Sequence, residues 1–267
     1  MIINPYRFAT AGGLPFAPSD LSGLSLWLDG NDSGTLWANA ARTTPASLNG
    51  AVHTWDDKSA NANHLVQATA SSRPVRQLPP SGFNSKEAVY FNNDYLETAN
   101  NFVLTQTAAK TIFTVVSFDS IVGSISYFSL HHTVPVTDPN GSRHTLFFNS
   151  VPSPANFGTA WLGGYQAATL PSVTQGSPLC HAVTDTGQGN KSVDEIRYYN
   201  GTNILHTAGS NPTIVSDFGA KTRIGNWAND INQILVGHAC EIIVYDTALN
   251  AQDFALVEGY LKTKWGY

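Results

Sequence analysis

Apolar residues recur along this chain in short, strand-sized bursts, separated by stretches rich in Gly, Pro, Asn and Ser. The most continuous burst, Thr111-Ile112-Phe113-Thr114-Val115-Val116-Ser117-Phe118, is apolar on both faces and therefore predicts a central strand. Cys240 to Asp246 is a second such burst, with β-branched and aromatic side chains at its centre. After it the period changes from strand to helix. Asn250 is placed to cap a helix, and Asp253 sits in the first turn, where a carboxylate suits the positive end of the dipole. Phe254, Val257, Leu261 and Trp265 recur at helical spacing, Lys262 and Lys264 fall in the last turn, and Gly266 is a stop signal. The pattern predicts one amphipathic helix packed on the outside of a layered β body.

Leu24 to Asp29 alternates and then turns apolar throughout, which predicts a strand beside the closing one, so that the two ends of the chain meet. Further strands are predicted over 52–55, 88–91, 95–98, 127–130, 145–148, 160–162, 179–183 and 222–225. Asn200-Gly201 between Glu195–Tyr199 and residues 202–207 reads as a hairpin with a type I′ turn. Roughly a dozen short strands and one helix predict an all-β sandwich. No internal repeat divides residues 20–267, which are expected to form one domain. Residues 1–19, with Pro5, Pro15, Pro18 and Gly12-Gly13, read as an extended arm. That arm is either a disordered tail or a docking segment that buries Tyr6, Phe8 and Phe16 against a neighbour.

Charged residues make up only 12% of the chain, so polarity comes mainly from Asn, Thr, Ser and Gly. The net charge is -5 and no run of Lys or Arg is present, which argues against nucleic acid as a partner. Cys180 and Cys240, the only cysteines, are too few for a disulfide framework and are expected to be buried thiols. Met1 to Phe8 lacks the basic and apolar regions of a secretory signal, and no run approaches the ~20 apolar residues of a membrane helix.

Six stretches carry a family resemblance: LSLWLDGNDSGTL, VHTWDDKSANANHLVQATASSRP, AVYFNNDYLETAN, TIFTVVSF, TRIGNW and GHACEIIVYDTALNAQDFALVEGYLKTKWG. In this order they resemble the landmarks of laminin-G-like (concanavalin A-like) jelly-roll domains, from about Leu21 to Gly266. The resemblance implies a jelly-roll β-sandwich of the kind found in bacterial surface proteins and phage virion proteins. The opening MIINPYRFA is similar to the starts of phage structural proteins. One departure stands out. The family's loop reads Trp-x-Asp-x-Ser-Gly-Asn-Gly-Asn, whereas here Ala60 and Ala62 replace both glycines.

Candidate chemistry is sparse. A glycosidase needs two carboxylates flanking the sugar bond, yet none of Glu87, Glu97, Glu195, Glu241 and Glu258 has a second carboxylate two residues away. Asp194 and Glu195, being adjacent, point to opposite faces of a strand, so no enzymatic activity is expected. Asp29, Asn31, Ser33 and Gly34 mimic the start of a calcium loop, but its twelfth position is Ala40 rather than Glu. A looser calcium site from Asp29, Asp32, Asp56 or Asp57 stays open beside the alternative that these turn carboxylates accept from backbone amides. Zinc is not expected, because Cys180-His181 and His238-Ala239-Cys240 offer at most three convergent ligands.

Aromatic rings lie beside amides and carboxylates in Trp161-Leu162-Gly163-Gly164-Tyr165-Gln166 and in Trp227-Ala228-Asn229-Asp230. Sugars present apolar C–H faces and a rim of hydroxyls, so Trp161, Tyr165, Trp227, Asn229 and Asp230 are the glycan-contact candidates; the alternative is that the tryptophans anchor core or loops. With the resemblance, these residues predict a non-enzymatic virion component, in capsid decoration or tail. It would dock through its arm, pack against identical neighbours and display a lectin-like surface to cell-surface glycans. A free-standing carbohydrate-binding module is the alternative, and a glycosidase the less favoured one.

Overall fold

The computed structural model describes residues 15–80, 82–100, 108–120, 124–131, 143–149, 156–161, 164–169, 173–187, 195–204, 208–209, 221–227 and 230–267. The first strands are β1 (Leu24–Asp29), β2 (Leu36–Trp37), β3 (Thr54–Trp55), β4 (Leu65–Val66) and β5 (Val75–Gln77). They are followed by β6 (Ala88–Asn92), β7 (Leu96–Thr98), β8 (Lys110–Phe118), β9 (Ser124–His131) and β10 (Arg143–Asn149). Next come β11 (Asn156–Trp161), β12 (Gly164–Thr169), β13 (Leu179–Asp185), β14 (Glu195–Tyr199) and β15 (Thr202–Ile204). The last are β16 (Ala208–Gly209), β17 (Lys221–Ile224), β18 (Asn226–Trp227), β19 (Asp230–Ile234) and β20 (Val236–Tyr245), with the helix α1 (Ala251–Trp265) closing the chain.

Two antiparallel sheets face each other. Sheet A runs β15-β14-β13-β8-β20-β6-β5, and sheet B runs β16-β12-β11-β10-β9-β17-β7-β4-β3-β2. β20 is the axis of sheet A: β8 lies along one side, while β6 and β1 divide the other. The expected meeting of chain ends is observed, with Trp27 opposite Ile243 and Leu28 opposite Ile242. Between the sheets Leu26, Leu28, Trp55, Leu65, Phe91, Ile112, Val116, Val183, Ile224 and Val244 form the main core. The expected all-β sandwich with an outer C-terminal helix is the fold found.

α1 lies on the outer face of sheet A. Its buried stripe of Phe254, Val257, Leu261 and Trp265 joins Phe113, Val115, Ile243 and Tyr245 in a second core. Each such side chain stabilises docking by roughly 1.5–3 kcal/mol, far more than helix propensity supplies. Asn250 caps the helix by accepting from the Gln252 and Asp253 amides, and Gly266 ends it in the left-handed region at φ 78°.

A β-bulge sets the chemistry beneath this helix. The register of β20 on β8 slips between Ala239 and Glu241, so that the alternation breaks there. Ala239 faces the main core, and without the slip Glu241 would too. Instead its carboxylate lies under α1, buried, accepting from Trp27 Nε1 (2.7 Å), Tyr260 Oη (2.8 Å) and Trp265 Nε1 (2.7 Å). Lys264 Nζ lies 2.8 Å from Glu241 and 2.7 Å from Asp29. Burial, helped by the nearby Asp29 charge, raises the Glu241 pKa above its ordinary value of 4.5 despite Lys264 and these donors. The thiols Cys180 and Cys240 are free and buried, and burial pushes Cys180 up to about 12.

Candidate functional site

α1 covers the outer face of sheet A and does not reach sheet B, whose outer face carries the residues that follow. On β17, Ile224 points into the core, so Lys221 and Arg223 take the outer face by period-2 alternation. Register carries that face across the sheet. Arg223 stands opposite Glu97, Glu97 opposite Val66, Val66 opposite Thr54, and Thr54 opposite Trp37. In the other direction Arg223 pairs with Ser129, Ser129 with Thr145, Thr145 with Ala160, and Ala160 with Tyr165. One transverse row therefore runs from Trp37 to Tyr165. Its nine strands, at about 4.8 Å apart, span roughly 38 Å. The stretch from Ser129 to Ala160 holds only small residues, whereas Arg223 and Glu97 form a fixed ridge beside it.

That ridge is tied at every polar atom the structure describes. Arg223 reaches Glu97 Oε2 from Nη2 at 2.6 Å and from Nε at 2.9 Å, and Asn226 Oδ1 from Nη1 at 3.3 Å. Lys221 Nζ donates to Glu97 Oε1 at 3.0 Å. The guanidinium lies 4.1 Å from the centre of the Tyr95 ring, a stacked arrangement. Such a ridge holds its shape without a ligand and needs no reordering to receive one.

Beside the row, at the end of the sheet where β7 leaves Thr98, a cleft of about 330 Å³ opens between Arg42, Asn61, Ala62, Asn63, His64 and Asn100. Its wall is the 56–63 loop, which Asp57 organises. Asp57 accepts from the amides of Trp27 (2.9 Å), Ser59 (2.8 Å) and Asn63 (2.9 Å) and from Ser59 Oγ (2.6 Å). Asn61 and Asn63 pin the loop to β1, donating to the carbonyls of Leu24 and Ser25. Ala62 takes φ 55°, a left-handed conformation that favours glycine, while Ala60 does not. The loop makes its turn with an alanine at that position, and Ala62 bears the backbone strain.

Arg42 and His64 meet on the cleft wall. Arg42 Nη1 lies 2.8 Å from His64 Nε2, and because a guanidinium can only donate, Nε2 accepts from it. His64 Nδ1 lies 3.1 Å from Asp56 Oδ1, which suits the tautomer with the ring proton on Nδ1. Arg42 also reaches Asp56 Oδ1 at 3.3 Å, so Asp56 anchors both side chains. The guanidinium carries five N–H groups, more than these two partners take up, and the remainder can donate to a ligand oxygen.

The glycan-contact candidates are not brought together. Trp161 and Tyr165 flank the hairpin at the Arg143 and His131 end of the sheet, and Tyr165 ends the transverse row while Trp161 is one residue out of step with it. Trp227 and Asp230 pair at another hairpin, which continues from Ile224 toward the Ser124 end of β9, and Asn229 lies outside the described residues. The two aromatic stretches thus sit at opposite ends of sheet B. Sequence spacing missed Arg42, His64, Glu97 and Arg223, because only the pairing of distant strands assembles them.

The four candidate calcium carboxylates do not make a cage. Lys58 Nζ stands between Asp29 (3.1 Å) and Asp32 (2.7 Å), and Lys264 holds the other Asp29 oxygen. Asp56 faces Arg42 at 3.3 Å and accepts from Trp37 Nε1 at 2.7 Å, while Asp57 is taken up by its own loop. A dication at Asp29 and Asp32 would have to displace two ammonium groups, so this donor set does not fit calcium. Burial favours neutral Asp32, but Lys58 outweighs it and lowers the pKa; burial opposes charge on Lys58, but Asp32 and Asp29 outweigh it and raise the pKa. No group of three or more His, Cys, Asp or Glu is placed to hold a metal among the described residues. Of the arm's aromatics, Tyr6 and Phe8 lie outside the described residues. Phe16 packs edge-on against Tyr260 of α1, with ring centres 6.2 Å apart.

A scan against protein-family models finds no match, and no curated protein matches in sequence. Solved structures do match in fold. Domain 4 of AbnA, a GH43 extracellular arabinanase from Geobacillus stearothermophilus solved with arabinotriose, aligns with a TM-score of 0.51 at 15% identity. That alignment covers 87% of this chain and 97% of the domain. Trypanosoma rangeli sialidase, as its 2,3-difluorosialic acid covalent intermediate, aligns with a TM-score of 0.54 at 13% identity, over 91% of this chain. This chain spans 33% of that sialidase's length. The expected phage placement receives no support from these neighbours. The expectation of no enzymatic activity is corrected by them, since an arabinanase and a sialidase carry this fold. The physical reason lies in register: carboxylates converge from separate strands, as Asp185 on β13 stands opposite Glu195 on β14, so the spacing of acids along the chain excludes nothing. What the likenesses show of this chain is its fold, a jelly-roll-like β-sandwich shared with proteins named for sugars.

Proposed function

We propose that the chain is a glycan-binding jelly roll that serves glycoside processing, and that it holds oligosaccharide along the open face of sheet B into the Arg42 and His64 cleft. The observation that carries this reading is the exposed Arg42 guanidinium on the wall of that cleft, at the end of a sheet face whose transverse row continues through Ser129, Thr145 and Ala160. A sugar hydroxyl or ring oxygen supplies an acceptor for the remaining N–H groups of Arg42, and Tyr95, Tyr165 and Trp37 place aromatic residues along the same row or beside it. The arabinanase domain that aligns over nearly its whole length was captured with arabinotriose, which supports sugar as the ligand class.

Calorimetric titration with neutral and acidic oligosaccharides tests the reading, with a reducing-sugar assay on the same ligands to register cleavage by the chain itself. Saturable binding to at least one oligosaccharide, weakened by Arg42→Ala, is the expected result. No saturable binding across a broad glycan panel overturns it.

A further inference from the structure

We infer that the chain carries a second sugar site, a small pocket at one end of sheet A that takes a single neutral sugar ring; it stands apart from the Arg42 cleft and shares no residue with it. The pocket holds about 250 Å³ and opens where β13 begins at Leu179 and β14 ends at Tyr199. Leu179 stands opposite Val116, near the Phe118 end of β8. The loop that walls the Arg42 cleft is pinned at the other end of the sheet. There Asn61 donates to the Leu24 carbonyl, and Leu24 stands opposite Tyr245. Tyr245 in turn pairs with Thr111, and β8 runs roughly 17 Å from Thr111 to Val116.

Asn200 gives this pocket a fixed donor. It takes the first turn position of the β14–β15 hairpin, at φ 47°. Its backbone amide donates to the Cys180 carbonyl at 2.8 Å, and its Oδ1 accepts from the Cys180 amide at 2.7 Å. Both partners are backbone of β13, so the side chain is held in one orientation. Its Nδ2 hydrogens meet no acceptor among the described residues, and Asn200 lines the pocket. Thr174 and Ser177 add two hydroxyls to the lining, and Tyr199 and Tyr267 supply aromatic walls. Tyr267 is positioned from α1, where its Oη donates to the Glu258 carbonyl at 3.4 Å. Aromatic carbon beside pre-placed amide and hydroxyl groups suits a ring with C–H faces and a rim of hydroxyls. Among the described residues no Lys, Arg, His, Asp or Glu side chain lines the pocket, so a charged ligand finds no counter-charge there. Pockets for drug-sized molecules hold roughly 300–1,000 Å³, and this smaller one matches one ring rather than an oligomer.

The test follows the side-chain amide signals of the full chain by heteronuclear NMR while methyl arabinofuranoside, methyl galactopyranoside or methyl glucopyranoside is added, with glycerol as the control. The Asn200 signals, identified by their loss in Asn200→Gly, are expected to shift saturably with at least one glycoside and to do so equally in Arg42→Ala. Glycine accepts the type I′ turn, so Asn200→Gly keeps the hairpin while removing the donor. Asn200→Gly and Ser177→Ala are each expected to weaken that glycoside about two- to tenfold, read by saturation transfer to the ligand. Cooperative melting establishes that each variant folds, and Ser177→Ala carries the test alone if the turn variant does not. Absence of a saturable Asn200 shift, an equal shift from glycerol, or undiminished affinity in the folded variants overturns the inference and leaves the Arg42 cleft as it stands. A response that vanishes in Arg42→Ala also overturns it, assigning the sugar to the cleft. Failure of oligosaccharide to bind the cleft, with the Asn200 response intact, removes the earlier reading and keeps this site.

Discussion

Lys264 stands 2.8 Å from Glu241, and this contact joins the last turn of α1 to the bulge at the middle of β20. Glu241 is fully buried, so its carboxylate has no water to turn to if the lysine is removed. Lys264→Met is therefore expected to destabilise the fold by about 3–5 kcal/mol, the range for breaking a buried pair from one side. Denaturant unfolding monitored by tryptophan fluorescence measures it. A loss below about 1 kcal/mol would mean that Lys264 behaves as an exposed surface cation.

The same carboxylate sets a pH dependence. Burial raises the Glu241 pKa above 4.5, so the folded state holds its proton to higher pH than the unfolded chain does. Its contribution is then fully present below pH 4.5 and is lost as pH rises through the folded pKa. Replacing Glu241 with Gln is expected to lower the melting temperature throughout, yet to remove this downward component of its slope above pH 4.5. Parallel melting curves for the two proteins across that range would show that Glu241 is charged in both states.

Much of the frame was legible in the sequence, and the reason is local. The helix announced itself through Asn250, the Phe254 to Trp265 stripe and Gly266, all of which act within one or two turns. The pairing of β1 with β20 followed from two apolar runs that each needed a buried partner. Strands such as β2 and β4 are two residues long, too short for alternation to register, and tertiary pairing alone makes them strands, whereas β3 falls within the strand expected over 52–55. The bulge beside Cys240 is equally silent, because a slipped register changes no residue type yet moves Glu241 to the other face. The candidate site was the least legible part. Arg42, Glu97 and Arg223 are far apart in the chain, and only the ladder of pairs across sheet B sets them at one surface. The aromatic stretches at Trp161 and Trp227 drew attention through composition, but register puts them at opposite ends.

Ala62 is strained where glycine would not be, at φ 55° on the cleft wall. Glycine relieves a left-handed cost of roughly 1–2 kcal/mol but gives back part of it as unfolded-chain entropy. Ala62→Gly is expected to stabilise the protein by about 0.5–1 kcal/mol, seen as a rise of about 2 °C in melting temperature. A fall would show that the alanine methyl makes a packing contact worth more than the strain.

Gly237 is held more rigidly. It sits at φ 150° where β20 passes β8, and an added Cβ would strike the Ser117 carbonyl and come within 3.0 Å of Phe118 Cα. Both obstacles are backbone of the central strand, so neither swings aside. Gly237→Ala is expected to cost about 3 kcal/mol or more in denaturant unfolding, and a near-neutral result would require β20 to enter the sheet by another path.

Arg42 separates binding from stability. Its side chain is 45% exposed, and its ion pair with Asp56 at 3.3 Å is of the surface kind, worth at most about 1 kcal/mol. Removing it leaves the Asp57-centred loop intact, since none of the bonds that shape that loop comes from Arg42. It does remove the guanidinium from the cleft wall, and a ligand oxygen bonded to its remaining N–H groups would lose a charge-assisted bond of about 1.5–3 kcal/mol. Arg42→Ala is thus expected to weaken oligosaccharide binding about tenfold or more while shifting the melting temperature by less than about 2 °C. Titration of the variant against the wild-type ligand reads the first quantity, and scanning calorimetry the second. Affinity retained in a folded variant would move the sugar out of the cleft and onto the Arg223 and Tyr95 part of the row, where Arg223→Gln becomes the variant that must lose binding.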